Sequence, residues 1–479
     1  MQLKPVILWF ERDLRLSDHP ALAAAAERGP LVPVFVLDPA NRAGEARETA
    51  SRAWLLHSLQ ALSQSLRRRG GRLILRKGDP ERELLAVARS VAAGAVYWSR
   101  RYDPDLAERD RRIVRTLASE GFEATDFQGG LLYEPGQVLN RQGEPYRVFS
   151  PFWKACLQSD RPSKPDPEPR TFQWVERWPA SLEWHDLGLT PTPDRALDFL
   201  ATWRPGEAGA SARLEQFVET GIEDYPVLRD RPDQDATSRL SPYLHFGEVS
   251  PRQVWDAVHR RSRNKARAAA DAYLRQLGWR EFAYHLLHHF PHTTSQPMRP
   301  EFKAFAWDWG GPNLDAWQEG RTGYPFIDAG MRQLRATGWM HNRVRMIVAS
   351  FLVKDLRLHW LEGARWFWQR LVDADLANNT LGWQWTAGCG ADAAPFFRIF
   401  NPVTQARKFD PEGRYIRRWV PELRRLSGRA LFEPWTASAS ELQHAGIRLG
   451  KTYPRPIVHH ADQRREALAA FERLKRARR

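Results

Sequence analysis

The sequence has two cysteines among its 479 residues, Cys156 and Cys389. Two isolated thiols form neither a disulfide framework nor a paired metal-binding motif, so a reducing cytoplasm is the expected compartment. The sequence also lacks an apolar run of membrane-spanning length, and its first residues lead straight into a predicted strand rather than a signal peptide. We therefore expect a soluble, cytoplasmic monomer that does not bind membranes.

Acidic residues are few relative to basic ones. Seventy-two lysines and arginines stand against 57 aspartates and glutamates, which gives a formal net charge of +15. A basic surface keeps a protein soluble, but this surplus also suits an anionic partner such as DNA. The 21 tryptophans exceed what packing alone requires, because each buried indole must satisfy an N–H group. Some of these rings are therefore expected to have a function.

Residues 1–130 alternate short β-branched runs with amphipathic stretches. This alternation predicts an α/β domain with a doubly wound parallel sheet. A glycine-rich dinucleotide fingerprint is missing after the first strand, where Glu11-Arg-Asp-Leu-Arg-Leu stands instead, which argues against a conventional NAD site. The predicted strands are Val6–Trp9, Leu31–Leu37, Arg72–Leu75, Ala95–Trp98 and Glu123–Phe127, and the predicted helices are Pro20–Arg28, Glu45–Arg69, Glu81–Ala93 and Asp105–Glu120.

Residues 131–200 lose this pattern, and the stretch Arg161-Pro-Ser-Lys-Pro-Asp-Pro-Glu-Pro is too rich in proline for a helix or a central strand. This segment is predicted to be an interdomain connector. Residues 201–479 carry helical periodicity almost to the end, which predicts an all-α second domain. Its clearest predicted helices are Ala212–Val218, Pro251–Val258, Ala266–Phe290, Gly330–Trp360 and Gln463–Arg476.

The most unusual mixture of residues lies in the stretch Asp373–Trp385. It combines two carboxylates, two asparagines and two tryptophans, although carboxylates avoid burial unless they are paired and tryptophan favours it. Such a mixture indicates a functional site.

The stretch 339–352 precedes this site and is predicted to form a helix with one apolar face. Asn342 and Met346 lie four residues apart, so their side chains are expected to share one patch of that helix. Arg345 flanks the patch and needs an anion if it is half-buried. Asp373 or Asp375 could supply this anion.

Four motifs in this part of the chain resemble those of a known family. They are Gly-Trp-Met-His-Asn-Arg (338–343), Ala-Ser-Phe-Leu-Val-Lys-Asp-Leu (349–356), Asp-Leu-Ala-Asn-Asn (375–379) and Phe-Arg-Ile-Phe-Asn-Pro (397–402). In sequence and order they resemble the photolyases and cryptochromes, and within that family the class I DNA photolyases of bacteria. The resemblance covers essentially the whole chain. It implies an α/β antenna domain, a connector and a helical domain that binds FAD and DNA.

The hydroxyl-bearing segment 237–241 runs toward a predicted helix. From the residues alone it fits either an ordinary helix N-cap or a pyrophosphate site. The resemblance implies the second, because this segment binds FAD in the family, and it places Asn379 beside the flavin to stabilise the reduced state. The residues implied to bind FAD are Tyr225, Thr237, Ser238, Arg239, Leu240, Ser241, Arg345, Asp373, Ala374, Asp375 and Asn379.

The resemblance also implies a second, light-harvesting chromophore in the α/β domain, either a folate, a deazaflavin or a flavin. Glu108 stands where folate-binding members have a glutamate, but Ala107 precedes it where they have an asparagine. The identity of this chromophore is therefore left open.

Three tryptophans, Trp307, Trp360 and Trp383, match the family's relay, which conducts an electron from the surface to the flavin. Indole is the most easily oxidised of the common side chains. Without the resemblance, three unrelated core residues would be the simpler interpretation. Trp309 is a rival for the outermost position.

Two further tryptophans, Trp279 and Trp385, match the rings that hold a lesion extruded from DNA. An enzyme that acts on a stacked base must take that base out of the duplex and bind it by stacking and edge contacts. The residues implied to contact the lesion or DNA are Arg229, Gln276, Trp279, Arg280, Asn342, Arg343, Met346, Trp385, Arg398 and Gln405.

The expected function is repair of cyclobutane pyrimidine dimers, in duplex or single-stranded DNA, under blue light. Gln276, Asn342, Met346 and Asn379 are the expected catalytic residues. One alternative is a cryptochrome-type light sensor, which the absence of a long tail after the last predicted helix disfavours. The other is a (6-4) photolyase. Gln276 favours it, whereas Asn342 and Met346 stand where (6-4) enzymes have catalytic histidines.

Four histidines, His285, His288, His289 and His292, have spacings of three and four that are typical of a metal site. Pro291 interrupts the pattern, and neither a carboxylate nor a cysteine completes a ligand set. No metal is therefore expected.

Overall fold

The computed structural model describes residues 3–40, 50–189, 199–261 and 267–477. The first third of the chain forms a five-stranded parallel sheet, as the sequence predicts. Its order is β3-β2-β1-β4-β5, so the chain changes direction across the sheet between β1 and β4. The strands are β1 Val6–Phe10, β2 Leu31–Leu37, β3 Ile74–Lys77, β4 Ala95–Ser99 and β5 Glu123–Phe127.

Helices alternate with these strands. Every residue of β1 and β2 is buried, which is typical of parallel strands covered on both faces. The edge strand β3 begins two residues later than predicted, because its pairing with β2 starts where Ile74 meets Val34. The four helices are α1 Pro20–Arg28, α2 Ala50–Arg67, α3 Pro80–Ser90 and α4 Pro104–Ser119. Residues 45–49 of the predicted second helix lie outside the described residues.

From residue 201 onward the described part of the chain is helical, as expected. The predicted connector contains a helix, Phe149–Gln158, while its residues 161–169 form neither a helix nor a strand. Residue 266, the predicted start of one helix, lies outside the described residues. The helices are α5 Phe149–Gln158, α6 Phe199–Thr202, α7 Glu207–Gln216, α8 Tyr225–Leu228, α9 Ser241–His245, α10 Pro251–Arg261, α11 Arg267–His289, α12 Pro312–Glu319, α13 Pro325–Thr337, α14 Asn342–Ser350, α15 Trp360–Arg370, α16 Leu376–Ala387, α17 Pro402–Phe409, α18 Arg414–Trp419, α19 Gly428–Phe432, α20 Ala439–Ala445 and α21 His460–Ala477.

The predicted single helix over 330–360 is wrong. Helix α13 ends at Thr337, because Gly338 adopts a left-handed conformation with φ 67° at its C-terminus. Helix α14 starts at Asn342, where the side chain of His341 accepts a hydrogen bond from the Arg343 N–H group. A π-helical turn, Phe351–Asp355, then follows α14. The apolar periodicity continues through both interruptions, which is why the sequence pattern missed them.

The backbone divides into two compact units. The first contains Met1–Glu223, Ser238–Pro291 and Val372–Leu376, and therefore holds the sheet together with α9, α10 and α11. The second contains Asp224–Thr237, His292–Leu371 and Ala377–Arg479, and is helical. The predicted site residues are distributed over both units, and each unit is described in turn.

Candidate functional site

In the first unit, the carboxylate of Asp375 is the centre of a buried polar group. The Tyr284 hydroxyl donates to it, and Nδ1 of His245 lies 3.9 Å away. Burial alone would raise the pKa of Asp375, but His245, Arg280 and Tyr284 outweigh it and hold this pKa below its usual range. Asp375 is therefore charged at neutral pH.

The Nδ1 atom of His245 is buried and makes no hydrogen bond with any of the described residues. Burial and then Arg12 lower the pKa of His245, although Asp375 acts in the opposite direction. A buried polar atom without a partner costs free energy unless a ligand satisfies it. The sequence prediction missed His245, and no spacing in the sequence connects it with Asp375.

Helix α11 presents three of the predicted residues, Gln276, Trp279 and Arg280, all partly exposed. The Trp279 indole stacks on Phe149 with ring centroids 3.8 Å apart, so one of its faces is covered and a base could stack only on the other. The Gln276 amide donates to the Ala272 carbonyl of its own helix at 3.4 Å.

Arg280 belongs to a second polar group on the same helix. Its guanidinium lies over the Tyr284 ring at 4.8 Å and 3.2 Å from the Glu281 carboxylate. Burial raises the pKa of Glu281 to about 7, even though Arg280 and two backbone N–H groups favour the charged form. Tyr284 and Glu281 were not predicted. The spacing of Gln276, Arg280 and Tyr284, four residues each, was the available signal for Tyr284.

The segment around Arg239 has an unusual backbone. Arg239 adopts φ 52°, a left-handed conformation that is costly for a residue with a side chain, and its guanidinium lies 5.4 Å from the Trp203 ring centre. The Ser238 carbonyl accepts from Arg213 at 2.9 Å, and the Leu240 N–H donates to the Ser238 hydroxyl at 3.4 Å. Helix α9 has only five residues, so a long helix dipole is not what this segment offers to a phosphate.

In the second unit, helix α14 confirms the predicted neighbours. The Asn342 amide nitrogen lies 3.9 Å from the Met346 sulfur, so the two side chains share one patch. Arg343 donates to Asp230 at 2.7 Å and lies 4.6 Å over the Phe409 ring. Arg343 is thus held by an ion pair and an aromatic face, which limits the positions at which it could meet a phosphate.

The remaining predicted residues of this unit lie as follows. Arg345 donates through Nε to the Met340 carbonyl at 2.8 Å, and its pairing with Asp373 stays a prediction. Tyr225 is buried under the Arg229 guanidinium at 5.2 Å. Thr237 is the last residue of the segment Asp224–Thr237, which belongs to this unit. Arg398 is exposed, and Gln405 on α17 is partly buried.

Helix α16 carries the asparagine and tryptophans of the central stretch. The Asn379 amide nitrogen donates to the Ala364 carbonyl at 3.0 Å, which holds the amide against α15. Gln384 is buried and donates to the carbonyls of Thr293 and Gln296 at 2.6 and 2.8 Å. Hydrogen bonds of Asn379 and Gln384 therefore hold helix α16 at two points. Trp385, which is partly buried, directly follows Gln384.

The predicted relay tryptophans differ in burial. Trp360 and Trp383 are buried, and the Trp383 ring packs against Gly363, one turn after Trp360 on α15. Trp307 is partly buried, whereas Trp309 is 54% exposed. Conduction between these rings stays a prediction.

A small cavity lies in the first unit where the chain changes direction across the sheet. Residues that follow β1 and β4, among them Glu11, Arg12 and Arg101, line it together with Arg280. This is the place where open parallel sheets commonly bind ligands.

The histidines of α11 lie among aromatic rings. His285 is buried with its ring centre 4.9 Å from that of Phe152 and 4.6 Å from that of His289. Burial and then His289 lower the pKa of His285 to about 4. Within the described ranges, no group of three or more His, Cys, Asp or Glu residues is placed to hold a metal ion. In the same ranges, no helix has both the length and the apolar character to cross a membrane.

Two family models match the chain. Residues 6–170 match the model described as DNA photolyase, and residues 273–473 match the FAD binding domain of DNA photolyase. The chain is 47% identical over 481 residues to the deoxyribodipyrimidine photo-lyase of Agrobacterium fabrum, which covers 99% of this chain and 100% of that protein. It is 39% identical to cryptochrome-2 of Arabidopsis thaliana, over 99% of this chain and 80% of that protein.

A solved structure, that of a bacterial class III photolyase from Agrobacterium tumefaciens, superposes with a TM-score of 0.96 at 46% identity and covers 99% of this chain and 98% of that one. The chain therefore belongs to the photolyase and cryptochrome family. Its α/β domain and its helical FAD-binding domain are those of the family.

The polar groups described above fit a flavin cofactor. In the second unit, the Asn379 amide is held by its hydrogen bond to the Ala364 carbonyl, and in the first unit the charged Asp375 lies beside a buried histidine nitrogen that makes no hydrogen bond among the described residues. Hydrogen-bond donors and acceptors that are fixed in advance are what a polar ring system requires. That the segment 237–241, Asp375 and Asn379 hold FAD stays a prediction.

Proposed function

We propose that this protein repairs cyclobutane pyrimidine dimers in DNA under blue light. When bound and reduced, FAD supplies the electron that splits the dimer and that returns afterwards, so no net oxidation occurs. The role of the chain is to hold the flipped-out lesion, to exclude water from it and to position polar groups at its carbonyls. Trp279 is partly exposed and has one ring face covered by Phe149, and Gln276 lies one helical turn before it.

The observation that carries the choice of lesion is the pair Asn342 and Met346. The two side chains are 3.9 Å apart on one patch of α14, where (6-4) enzymes have histidines by the family resemblance. Neither an amide nor a thioether can transfer the proton that (6-4) repair requires. The pair therefore favours the dimer, which needs only an electron, although Gln276 by itself favours the (6-4) product.

DNA binding through basic residues is part of this proposal. Arg398 is exposed, and Arg343 is half-buried beside Asp230. Guanidinium groups that meet phosphates position DNA without reading its sequence, which suits an enzyme that must act on lesions in any context. Arg229 and Gln405 are also proposed to contact DNA, and so is Arg280 of the first unit.

A second chromophore is also proposed, without assignment of its identity. Within the family, the motifs predict class I, whereas the likeness to a photolyase described as class III supports class III. The cyclobutane dimer is the proposed substrate in either case.

The test uses two oligonucleotides, one with a cyclobutane dimer and one with a (6-4) product. Each is mixed with protein that has been reduced with dithionite, and is then illuminated or kept dark. We expect loss of the dimer in the light only, and no change of the (6-4) product. Repair of the (6-4) product would contradict the choice of lesion. Loss of neither product would support the cryptochrome alternative, which the similarity to the Arabidopsis protein favours.

A further inference from the structure

A tight turn of the second unit carries Arg398, one of the residues proposed to contact DNA. The Arg398 N–H donates to the Pro395 carbonyl at 2.9 Å, which closes a β-turn with Phe396 and Phe397 at its centre. Phe396 is 3% exposed, whereas Phe397 is 62% exposed and Arg398 is exposed as well. Phe396 is therefore the inward-pointing residue of a turn whose next two residues face solvent.

The ring of Phe396 is held from both of its faces. Phe471 of α21 stacks on it with ring centroids 4.5 Å apart and planes at 15°. The Nζ atom of Lys354 lies 3.2 Å from the same Phe396 centroid. A ring and an amine this close to one centroid would collide if they shared a face, so Lys354 and Phe471 lie on opposite faces of Phe396.

The start of α21 contacts the π-helical turn that contains Lys354. Nδ1 of His460, the first residue of α21, is hydrogen-bonded to the carboxylate of Asp355, which directly follows Lys354. Phe471 follows His460 by eleven residues, about three turns of helix, so both side chains lie on one face of α21. The π-helical turn thus contacts α21 through Asp355 and the ring of Phe396 through Lys354.

Phe471 lies at the margin of the surface that α21 buries. Ala467, Ala470 and Leu474 of this helix are buried, whereas Phe471 is only partly buried. The Nζ atom of Lys475, an exposed residue, lies 4.6 Å from the centre of the Phe471 ring. Because a partly exposed ring buries less apolar area than a core ring, its replacement costs less stability.

We propose that Phe471 is a positioning residue for DNA binding, because its stack on Phe396 holds the turn 395–398 so that Arg398 meets a phosphate. This inference rests on the proposed function, which assigns Arg398 to DNA. A guanidinium that is held in place beforehand loses less conformational freedom on binding, so the affinity rises without a further contact. The number of phosphates contacted stays the same, and with it the dependence of affinity on salt.

The first test measures the turn in the full-length protein with FAD bound and without DNA. Phe471→Leu removes the ring, and Phe471→Tyr is the matched control because it keeps a ring. By hydrogen exchange and mass spectrometry, we expect the amides of residues 394–400 to exchange at least about fivefold faster in Phe471→Leu and at the wild-type rate in Phe471→Tyr. Residues 421–427 of the same unit should be unaffected in both variants. Unchanged exchange over 394–400 in Phe471→Leu would overturn the proposal, and so would an equal acceleration over 421–427, since the whole unit would then be loosened.

The second test measures, in the dark, the affinity for a duplex oligonucleotide with one cyclobutane dimer at several salt concentrations. We expect Phe471→Leu to bind about threefold to tenfold more weakly, with the wild-type slope of log affinity against log salt concentration, and Phe471→Tyr to bind like wild type. In an Arg398→Ala background, Phe471→Leu should change the affinity less than about twofold, because no guanidinium remains to be positioned. Equal losses in both backgrounds, or no loss in the wild-type background, would show a merely structural contact and would overturn the proposal.

The two proposals fail separately. Repair under light decides the proposed function, whereas affinity in the dark decides the inference on Phe471. A protein that binds the oligonucleotide without repairing it would contradict the proposed function alone, and a wild-type protein that does not bind it would also overturn the inference on Phe471. If Phe471→Leu does not fold, Phe471→Met replaces it in both tests, because methionine fills the space without a flat ring.

Discussion

Gly363 on α15 offers a sharp test of how the inner end of the relay is packed. A Cβ atom at this position would lie 2.0 Å from Cη2 of Trp383, 2.4 Å from Cζ3 and 2.5 Å from Cζ2, whereas ordinary contacts are 3.4–4 Å. The indole cannot easily retreat, because it is buried against Phe367 at 5.0 Å and Trp317 at 6.3 Å. Gly363→Ala should therefore displace Trp383 or strain α15.

Two effects of Gly363→Ala on stability oppose each other. Alanine inside a helix is favoured over glycine by roughly 0.5–1 kcal/mol. Overpacking of a core costs roughly 1–3 kcal/mol, and three contacts this close place Gly363 at the upper end of that range. We expect the free energy of unfolding to fall by about 2 kcal/mol, the reverse of the usual effect of a helical Gly→Ala change.

A double-mutant cycle identifies the cause. The three atoms nearest to the added methyl group belong to the six-membered ring of the indole, and phenylalanine reaches less far. In a Trp383→Phe background, Gly363→Ala should therefore lose most of its cost, with a coupling of roughly 1–2 kcal/mol measured by urea denaturation. Equal losses in both backgrounds, or a Gly363→Ala protein as stable as wild type, would refute this account of the packing.

Three further predictions concern cofactor, DNA and lesion. Asp373→Ala should purify almost colourless if Asp373 pairs with Arg345, since a broken buried pair costs roughly 3–5 kcal/mol; stoichiometric flavin in the absorption spectrum would contradict it. Arg398→Ala should reduce by about 0.9 the slope of log affinity against log salt concentration for damaged duplex DNA. Arg343→Ala should do the same if its ion pair with Asp230 leaves it free to meet one phosphate. An unchanged slope would place that arginine away from the DNA backbone. Gln276→Glu should raise the dimer yield per absorbed photon, because a carboxyl group can share a proton with a developing anion; a lower yield would argue against a contact with the lesion.

The parallel sheet was predictable because its signal is local. Each strand is a short apolar run, and burial on both faces requires such runs without alternation, so β1 and β2 could be recognised from sequence alone. The breaks at Gly338 and in Phe351–Asp355 were not, because the apolar residues on either side of each break fall on one continuing periodicity. A single glycine can end a helix even where the apolar pattern continues, and such an end is recognised only once the backbone conformation is known.

The candidate site shows the same division between local and distant signals. Asn342 and Met346 were recognised as neighbours because four residues make one turn of a helix. Asp375 contacts His245 and Tyr284, both of which precede it by more than 90 residues. No periodicity in the sequence connects the three residues. The stacking of His359 on Trp309, with ring centres 4.1 Å apart, is similar, since it accompanies a bridge between Asp308 and Leu358 that only the folded chain contains.

Lys354 connects one of the missed breaks with the site. It lies seven residues after Ile347 and three after Phe351, so helical periodicity places it on the apolar face, and in the π-helical turn it is 1% exposed. Its Nζ donates to the Ala387 carbonyl at 3.2 Å, at the C-terminal end of α16, where helix carbonyls lack partners within the helix and a donor is favoured. Burial lowers the pKa of Lys354 well below its usual range, which marks how completely this donor is withdrawn from water. The Lys354 side chain thus ties the π-helical turn to the end of the helix that carries Asn379, Trp383 and Trp385.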